Sequence, residues 1–185
     1  MIENKTQLQE YLAADKVALR RTGKHPKITD YIWKYEIFLR KCEYYENTGT
    51  KKIHPLYLWA RYRRAKIGAL CGFSIPTNVV DKGLGIVHIG PIVISAHTRI
   101  GRNCRIHVGV NIGADARIPD AAPTIGDCVY IGPGAKMFGK ITIANRIAIG
   151  ANAVVTKSFE EENISIGGVP AKKISDVGSD GIINL

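Results

Sequence analysis

Two stretches decide the fold: ISAHTRIGRNCRIHVGVNIG at residues 94–113 and TIGDCVYIGPGAKMFGKITIANRIAIGANAVVTK at residues 124–157. An aliphatic residue or methionine recurs in them at every sixth position, and a small or β-branched residue stands four places after most of these. A period of six fits neither an α-helix nor a plain β-strand. It is typical of a parallel β-helix, in which three hexads make one triangular turn. The residues expected to point inward are Ile94, Ile100, Ile106, Ile112, Ile125, Ile131, Met137, Ile143, Ile149 and Val155.

The repeat is interrupted once. Ile112 and Ile125 are thirteen residues apart, which is one hexad plus seven additional residues. The interruption predicts an inserted loop at residues 114–123. Loops inserted into a rigid repeat commonly carry function, because they can reach a neighbouring surface.

The flanking segments have a different composition. Residues 1–72 are rich in helix-forming residues and predict an N-terminal helical region that caps the open end of the repeat. Residues 73–174 form the predicted repeat domain, with a less regular entry before residue 94. Residues 175–185 are a polar, glycine-containing tail that we expect to be loosely ordered. The predicted helices cover residues 7–21, 31–47 and 55–70, with Pro55 in the first turn of the third and Gly72 as its stop.

The chain is basic, with a formal net charge of +10 over 185 residues. Residues 1–72 hold 15 Lys and Arg against 7 Asp and Glu. A solvated basic face explains this, and so does an anionic partner such as a coenzyme phosphate or a membrane surface. The basic helix 55–70 also carries aromatic residues, so both a structural cap and peripheral membrane contact stay open. No nucleic-acid-binding signature is present, and no nucleic acid partner is expected.

Other features of the composition indicate a cytoplasmic protein. No apolar stretch is long enough to cross a bilayer, and the N-terminus has no apolar signal-peptide core. The four cysteines are far apart and form no CxxC pair. We therefore expect reduced thiols and no metal site.

Two histidines are candidate catalytic residues. Counting back six from Ile94 reaches His88, so the uniform period predicts that His88 occupies an inward position. Nearby glycines such as Gly90 predict an irregular coil that turns the imidazole to the surface. His107 follows Ile106 at a corner position that can face outward. A histidine on such a surface suits direct general-base catalysis.

Three segments together resemble a known family: GLGIVHIGPIVIS at 83–95, IGPGAKMFGKITIANRIAIGANAVV at 131–155 and IGGVPAKKI at 166–174. They resemble the hexapeptide-repeat acyltransferases, in particular the serine O-acetyltransferase-like branch with its polysaccharide-acetylating relatives. The resemblance implies a left-handed β-helix, a homotrimer with sites between subunits, and His88 as general base. It implies acetyl-CoA as co-substrate, with no permanently bound cofactor. The implied coenzyme contacts are Gly113, Ala114, Pro133, Ala151, Lys172 and Lys173.

The sequence also departs from the serine-specific members. Ala121 and Ala122, before Pro123, stand where those enzymes carry an Arg-His pair that helps to hold the amino acid. Val87 replaces the acid that precedes the histidine, and Asp81 is a substitute for the acid that orients its ring. An amino-acid carboxylate would lose its charged partner in the loop.

These departures predict a sugar hydroxyl as the acceptor, on a capsular or exopolysaccharide unit. One alternative keeps the enzyme class but makes L-serine the acceptor, in cysteine biosynthesis. A second alternative is a non-catalytic trimeric β-helix scaffold.

Overall fold

The computed structural model describes residues 1–49, 53–118 and 120–183, and within them three helices precede fourteen short strands. The helices are α1 (Lys5–Ala18), α2 (Tyr31–Asn47) and α3 (Pro55–Cys71). The strands are β1 (Phe73–Ser74), β2 (Gly85–Ile86), β3 (Ile92–Ile94), β4 (Arg99–Ile100), β5 (Arg105–Ile106), β6 (Asn111–Gly113), β7 (Thr124–Ile125), β8 (Tyr130–Ile131), β9 (Lys136–Phe138), β10 (Thr142–Ile143), β11 (Ala148–Ile149), β12 (Val154–Val155), β13 (Ser165–Gly167) and β14 (Lys172–Ser175).

The strands form three sheets that the chain visits in turn. Sheet A has the order β1-β3-β6-β9-β12, sheet B β4-β7-β10, and sheet C β2-β5-β8-β11-β13-β14. The strand pairs are parallel, apart from the antiparallel pair β13 and β14. Equivalent residues of successive repeats lie side by side, as Ile94, Ile112 and Met137 do in sheet A. The parallel sheets agree with the predicted fold class, and the β-helix with its left hand stays a prediction.

The recurring sixth residues form the core, as predicted. None of the ten is more than 4% exposed. The residues four places later are buried as well, for example Cys104 at 1% and Val129 at 0%. Burying one isoleucine side chain stabilises a fold by about 1.5–3 kcal/mol. The hexad pattern therefore marks the positions that hold the three sheets together.

The helices begin and end where their caps allow. The Asn4 side chain accepts a hydrogen bond from the Gln7 N–H, so α1 begins two residues earlier than predicted. Asp30 caps α2 by accepting from the Trp33 N–H at 3.3 Å, as predicted. Gly72 ends α3 at a φ of +79°, a conformation that glycine adopts without steric cost.

A buried cation joins the helices to the first part of the repeat region. The Arg40 side chain is fully buried and donates to the carboxylates of Asp15 at 2.7 Å and Glu43 at 2.9 Å. It also donates to the carbonyl oxygens of Val80 and Asp81, both at 2.7 Å. A buried guanidinium is tolerated only when such partners satisfy it. Arg40 therefore fixes the backbone that precedes β2.

Asp15 and a further buried carboxyl group, that of Glu36, hold the backbone of β2 and of the residues just before it. Asp15 accepts hydrogen bonds from the backbone N–H groups of Gly83 at 2.8 Å and Leu84 at 2.9 Å. Glu36 is fully buried and accepts from the Ile86 N–H at 3.3 Å. Burial raises the pKa of Glu36 well above its usual value, and the Asp15 carboxylate adds to the effect. The helical region thus sets the position of the strand that leads to His88.

The tail is more ordered than expected. Ser179 is 1% exposed, and its hydroxyl donates to the carbonyl oxygen of Cys128. Gly178 lies so close to the carbonyl oxygen of Arg146 that an added Cβ would stand 2.1 Å from it. A glycine at this point lets the tail pack against the turns of the repeat region, which the polar composition did not indicate. Residues 184 and 185 lie outside the described residues.

One face of α3 is exposed. Its side chains include Leu56 at 58%, Trp59 at 52%, Tyr62 at 55% and Leu70 at 63% exposure. The helix contains no acidic residue. Among the described residues, no helix has both the length and the apolar character needed to span a bilayer. Peripheral membrane contact through this helix stays a prediction.

Candidate active site

The register prediction for His88 was wrong. Gly85 and Ile86 pair with Arg105 and Ile106, so Ile86 takes the inward position that the hexad count assigned to His88. The uniform count failed because Ile86 and Ile94 are eight residues apart. The two additional residues form a bend in which Gly90 has a φ of +144°. The bend leaves His88 exposed, which confirms the expectation that an irregular coil turns the imidazole outward.

The structure brings the two candidate histidines together. The ring centroids of His88 and His107 are 6.1 Å apart in an edge-on arrangement, and the His107 ring lies 5.0 Å from that of Tyr130. The turns stack because their strands pair in register. The Val87 N–H donates to the Ile106 carbonyl, and the His107 N–H donates to the carbonyl of the residue after Tyr130. The result is a row of three rings at one corner of the fold.

The surroundings of His107 disfavour its charged form. Burial lowers the pKa of His107, and the positive charges of Arg105 and His88 act in the same direction. The Nε2 atom of His107 is buried and has no hydrogen-bond partner among the described residues. The unprotonated nitrogen of a neutral imidazole is a hydrogen-bond acceptor, so a small group that reached this nitrogen could donate to it.

Asp81 does not orient His88. Its carboxylate accepts from the Tyr11 hydroxyl and from the Lys82 N–H. Within residues 1–49, 53–118 and 120–183, no carboxylate hydrogen-bonds to His88. The ring that contacts His88 is that of His107, which sequence reasoning had treated as a separate candidate.

Two of the six residues implied as coenzyme contacts lie in the turns that follow the strands of sheet C, at the same corner of the fold as His107. The turns after successive strands of sheet C are linked by hydrogen bonds, from the Gly134 N–H to the Val108 carbonyl and from the Asn152 N–H to the Pro133 carbonyl. Pro133 and Ala151 therefore stand in the same row of turns as His107.

The other four implied contacts lie elsewhere. Gly113 and Ala114 are at the opposite ends of the strands of sheet A, where β6 finishes. Lys172 and Lys173 lie in β14, the last strand of sheet C. The Lys173 ammonium pairs with Glu161 at 2.6 Å and also with Asp176. Gly113 and Ala114 therefore stand apart from the corner turns, whereas Lys172 follows Ala171, whose N–H donates to the Val154 carbonyl at 2.8 Å, close to the turn that contains Ala151.

The inserted loop closes on itself. The Asp115 N–H donates to the Ala121 carbonyl at 2.9 Å, and Ala121 and Ala122 are 6% and 8% exposed. Ile118 projects, with 60% exposure. Pro119 lies outside the described residues. Two buried methyl groups therefore stand where serine-specific enzymes were expected to present a cationic pair.

The comparisons agree on one group of proteins. No protein-family model matches the chain. The serine acetyltransferase of Mycobacterium tuberculosis is 35% identical over 132 residues, which are 65% of this chain and 57% of that protein. Soybean serine acetyltransferase complexed with serine has a TM-score of 0.73 at 24% identity, over 92% of this chain and 70% of that one.

The chain is similar to the serine acetyltransferases in sequence and in fold. This confirms the predicted resemblance. A structure of the Brucella abortus serine acetyltransferase with coenzyme A is also similar, with a TM-score of 0.71 at 22% identity over 94% of this chain and 71% of that one. At these identities the structural likeness shows the fold alone. The chain spans only about half the length of the curated relatives it matches, for example 54% of the Helicobacter pylori enzyme.

The acceptor expected from sequence needs correction. The serine acetyltransferase relatives are named for serine, and none of those described above is named for a polysaccharide. The sugar acceptor is therefore not supported, and the alternative acceptor, L-serine, fits the comparisons better.

Sequence reasoning also missed three residues, two of which lie near His107. Arg105 is two residues before His107, so the two side chains leave β5 on the same side. Tyr130 lies beside Arg105 in the next strand of sheet C. Arg20 comes from the far end of α1 and lines a cavity with Arg105. The alternation around His107 could have indicated Arg105, whereas Arg20 depends on the packing of α1. Across the described part of the chain, no three His, Cys, Asp or Glu side chains gather as metal ligands.

Proposed function

We propose that this chain is an acetyl-CoA-dependent O-acetyltransferase with L-serine as its acceptor. The observation that carries the proposal is the exposed His88, paired with His107, in a chain whose sequence relatives and structural neighbours are named serine acetyltransferases. Neighbouring structures contain serine in one case and coenzyme A in another, which supports both substrates.

His88 is the general base in this proposal. Its imidazole accepts the hydroxyl proton of L-serine while the hydroxyl oxygen attacks the thioester carbonyl carbon of acetyl-CoA. The carbon–sulfur bond then breaks, and the proton on His88 passes to the departing thiolate of coenzyme A. Positioned proton transfer of this kind contributes roughly 10²–10⁴ in rate. Backbone N–H groups of the corner turns would stabilise the oxyanion that forms between the two steps.

The coenzyme lies along the row of corner turns in this proposal. Pro133 and Ala151 extend the row from His107, and Gly113 and Ala114 border the other side of sheet A. Lys172 is exposed and has no ion pair within the described residues, so it is better placed than the paired Lys173 to meet a phosphate.

The proposal includes the finer architecture. The three sheets would be the faces of a left-handed parallel β-helix over residues 73–174, with residues 1–72 as its helical cap. The rotation of the chain through the sheets supports the coil, and the resemblance supports its hand and a homotrimer. Light scattering of the full chain at the mass of three copies would support the trimer.

The test is an acceptor screen that follows thiol release from acetyl-CoA. L-serine should release thiol and yield O-acetylserine by mass spectrometry, whereas hexoses and amino sugars should not exceed the rate without acceptor. Acetylation of sugars without acetylation of L-serine would overturn the proposed acceptor. Absence of coenzyme A binding by calorimetry would instead favour the non-catalytic scaffold.

A further inference from the structure

We propose that Arg105 and Arg20 form a carboxylate-binding site for the acceptor, next to His88 and His107. This inference rests on the proposed function, because it names the group of L-serine that the site would hold. It also supplies a positive partner for the carboxylate of L-serine, because Ala121 and Ala122 stand at the positions where cationic residues were expected.

Arg105 has open space on one flank. It lies in β5 between Gly85 of β2 and Tyr130 of β8, in register with both. Because Gly85 has no side chain, nothing from β2 covers the arginine on that side. Arg105 and His107 leave the strand on the same side, about 7 Å apart along it. The lowered pKa of His107 agrees with a guanidinium close to the imidazole.

Arg20 reaches the same space from the helical region. The end of α1 lies directly on β2, and a Cβ on Gly85 would stand only 3.4 Å from the Ala18 carbonyl oxygen. Just beyond the helix, Arg20 has a φ of +55°, an uncommon conformation for a residue other than glycine. Its N–H donates to the Val17 carbonyl at 2.8 Å. Arg20 thus stands just beyond the end of α1, where it lines a cavity with Gly85.

The two arginines share two cavities. One has a volume of about 200 Å³ and is lined by both arginines and by Val87, the residue before His88. The other has a volume of about 270 Å³ and is lined by both arginines and by Gly85. The space between the arginines therefore reaches the backbone that carries His88.

Neither guanidinium is neutralised. In the described residues, Arg20 and Arg105 have no hydrogen bond or ion pair to a carboxylate. The adjacent Arg21 differs, because its Nε donates to Asp30 at 2.7 Å. Guanidinium groups bind carboxylates through two parallel hydrogen bonds, so two unpaired arginines around one cavity suit a small anion.

The size of L-serine suits this placement. Its carboxylate and its hydroxyl-bearing carbon are attached to the same Cα, so a carboxylate at Arg105 keeps the hydroxyl within the neighbourhood of the histidine rings. A phosphate of coenzyme A is also negatively charged and could bind the same arginines. The experiment must therefore distinguish the carboxylate of L-serine from a coenzyme phosphate.

The test compares L-serine with L-serinamide, which keeps the hydroxyl but has no carboxylate. Steady-state rates are measured for the wild type, Arg105→Gln and Arg20→Gln, with Arg63→Gln in α3 as the control. We expect Arg105→Gln to raise the KM for L-serine at least tenfold and Arg20→Gln to raise it several-fold. The kcat/KM for L-serinamide and the KM for acetyl-CoA should stay within twofold, and Arg63→Gln should resemble the wild type.

Two kinetic outcomes would overturn the site. One is an equal loss with L-serine and L-serinamide, which would show that the arginines do not recognise the carboxylate. The other is a raised KM for acetyl-CoA with the preference for L-serine intact, which would assign the arginines to the coenzyme. Arg20 is exposed, so Arg20→Gln keeps the test valid even where Arg105→Gln fails to fold.

Calorimetry separates this inference from the proposed function. L-serine is titrated into the wild type and Arg105→Gln without acetyl-CoA. Binding that is lost in Arg105→Gln supports the site even if no acetyl transfer occurs. Acetyl transfer to L-serine with an unchanged KM in both variants overturns the site but leaves the proposed function in place. A wild type that neither binds nor acetylates L-serine overturns both.

Discussion

Replacing Arg40 with methionine removes the cation that ties the helical region to the repeat region. The side chain volume is nearly kept, but the carboxylates of Asp15 and Glu43 lose their shared partner. Two backbone carbonyls, those of Val80 and Asp81, lose a donor at the same time. The change therefore leaves two buried carboxylates without their shared cationic partner.

The expected cost follows from this burial. Asp15 and Glu43 are each 2% exposed at the side chain, and Arg40 is 0% exposed. Removing one partner from such a buried pair destabilises a protein by about 3–5 kcal/mol. For a chain of this size, each kcal/mol lowers the melting temperature by about 2–4 °C. The variant should therefore melt about 6–20 °C below the wild type at pH 7.

Differential scanning calorimetry measures the change, with Arg102→Met as the control. Arg102 pairs with Asp127 at 2.7 Å, the same distance as Arg40 to Asp15, but its side chain is 54% exposed. An exposed pair of this kind contributes about 1 kcal/mol or less. Equal melting temperatures for the two variants would refute the argument that burial decides the effect.

Three further predictions concern single side chains. Burial raises the pKa of Glu36 in the folded state, so its contribution to stability is present below about pH 4.5 and is lost as the pH rises toward the folded-state pKa. Glu36→Gln should therefore gain melting temperature relative to the wild type between pH 5 and pH 8, and a constant difference would contradict this. His107→Phe keeps a ring beside Tyr130 but removes both ring nitrogens. The kcat/KM for the acceptor should fall about tenfold, which is less than expected for loss of the general base. A loss equal to that of His88→Ala would assign the general base to His107 instead. Trp59→Ser should weaken sedimentation of the full chain with phosphatidylserine vesicles, and absence of wild-type sedimentation would exclude membrane contact by α3.

The sequence predicted the repeat well because its period is local. Each inward residue, such as Ile131, packs on an equivalent residue of the next repeat, so periodicity alone identifies it. Counting every sixth residue failed at His88, because two additional residues shift the register there. Several neighbouring isoleucines fit both the uniform count and the shifted one. The buried Arg40 and Asp15 were not predicted either, because charged residues on a helix usually face solvent.

The site was only partly predictable for a related reason. The positions of His88 and His107 follow from the corners of the repeat, so they could be singled out from sequence. Arg20 approaches them only because α1 packs on β2, a contact between residues far apart in the chain. The sugar acceptor was predicted from Ala121 and Ala122 alone, whereas the comparisons favour L-serine, and in our proposal the missing positive charge comes from another element.

We propose that His88 removes the proton from the hydroxyl of L-serine. The most direct measurement is the rate of O-acetylserine formation by the wild type and by His88→Ala, at saturating acetyl-CoA and L-serine. We expect kcat to fall by roughly 10²–10⁴, while coenzyme A binding by calorimetry stays unchanged. A His88→Ala variant that forms O-acetylserine at close to the wild-type rate would contradict it.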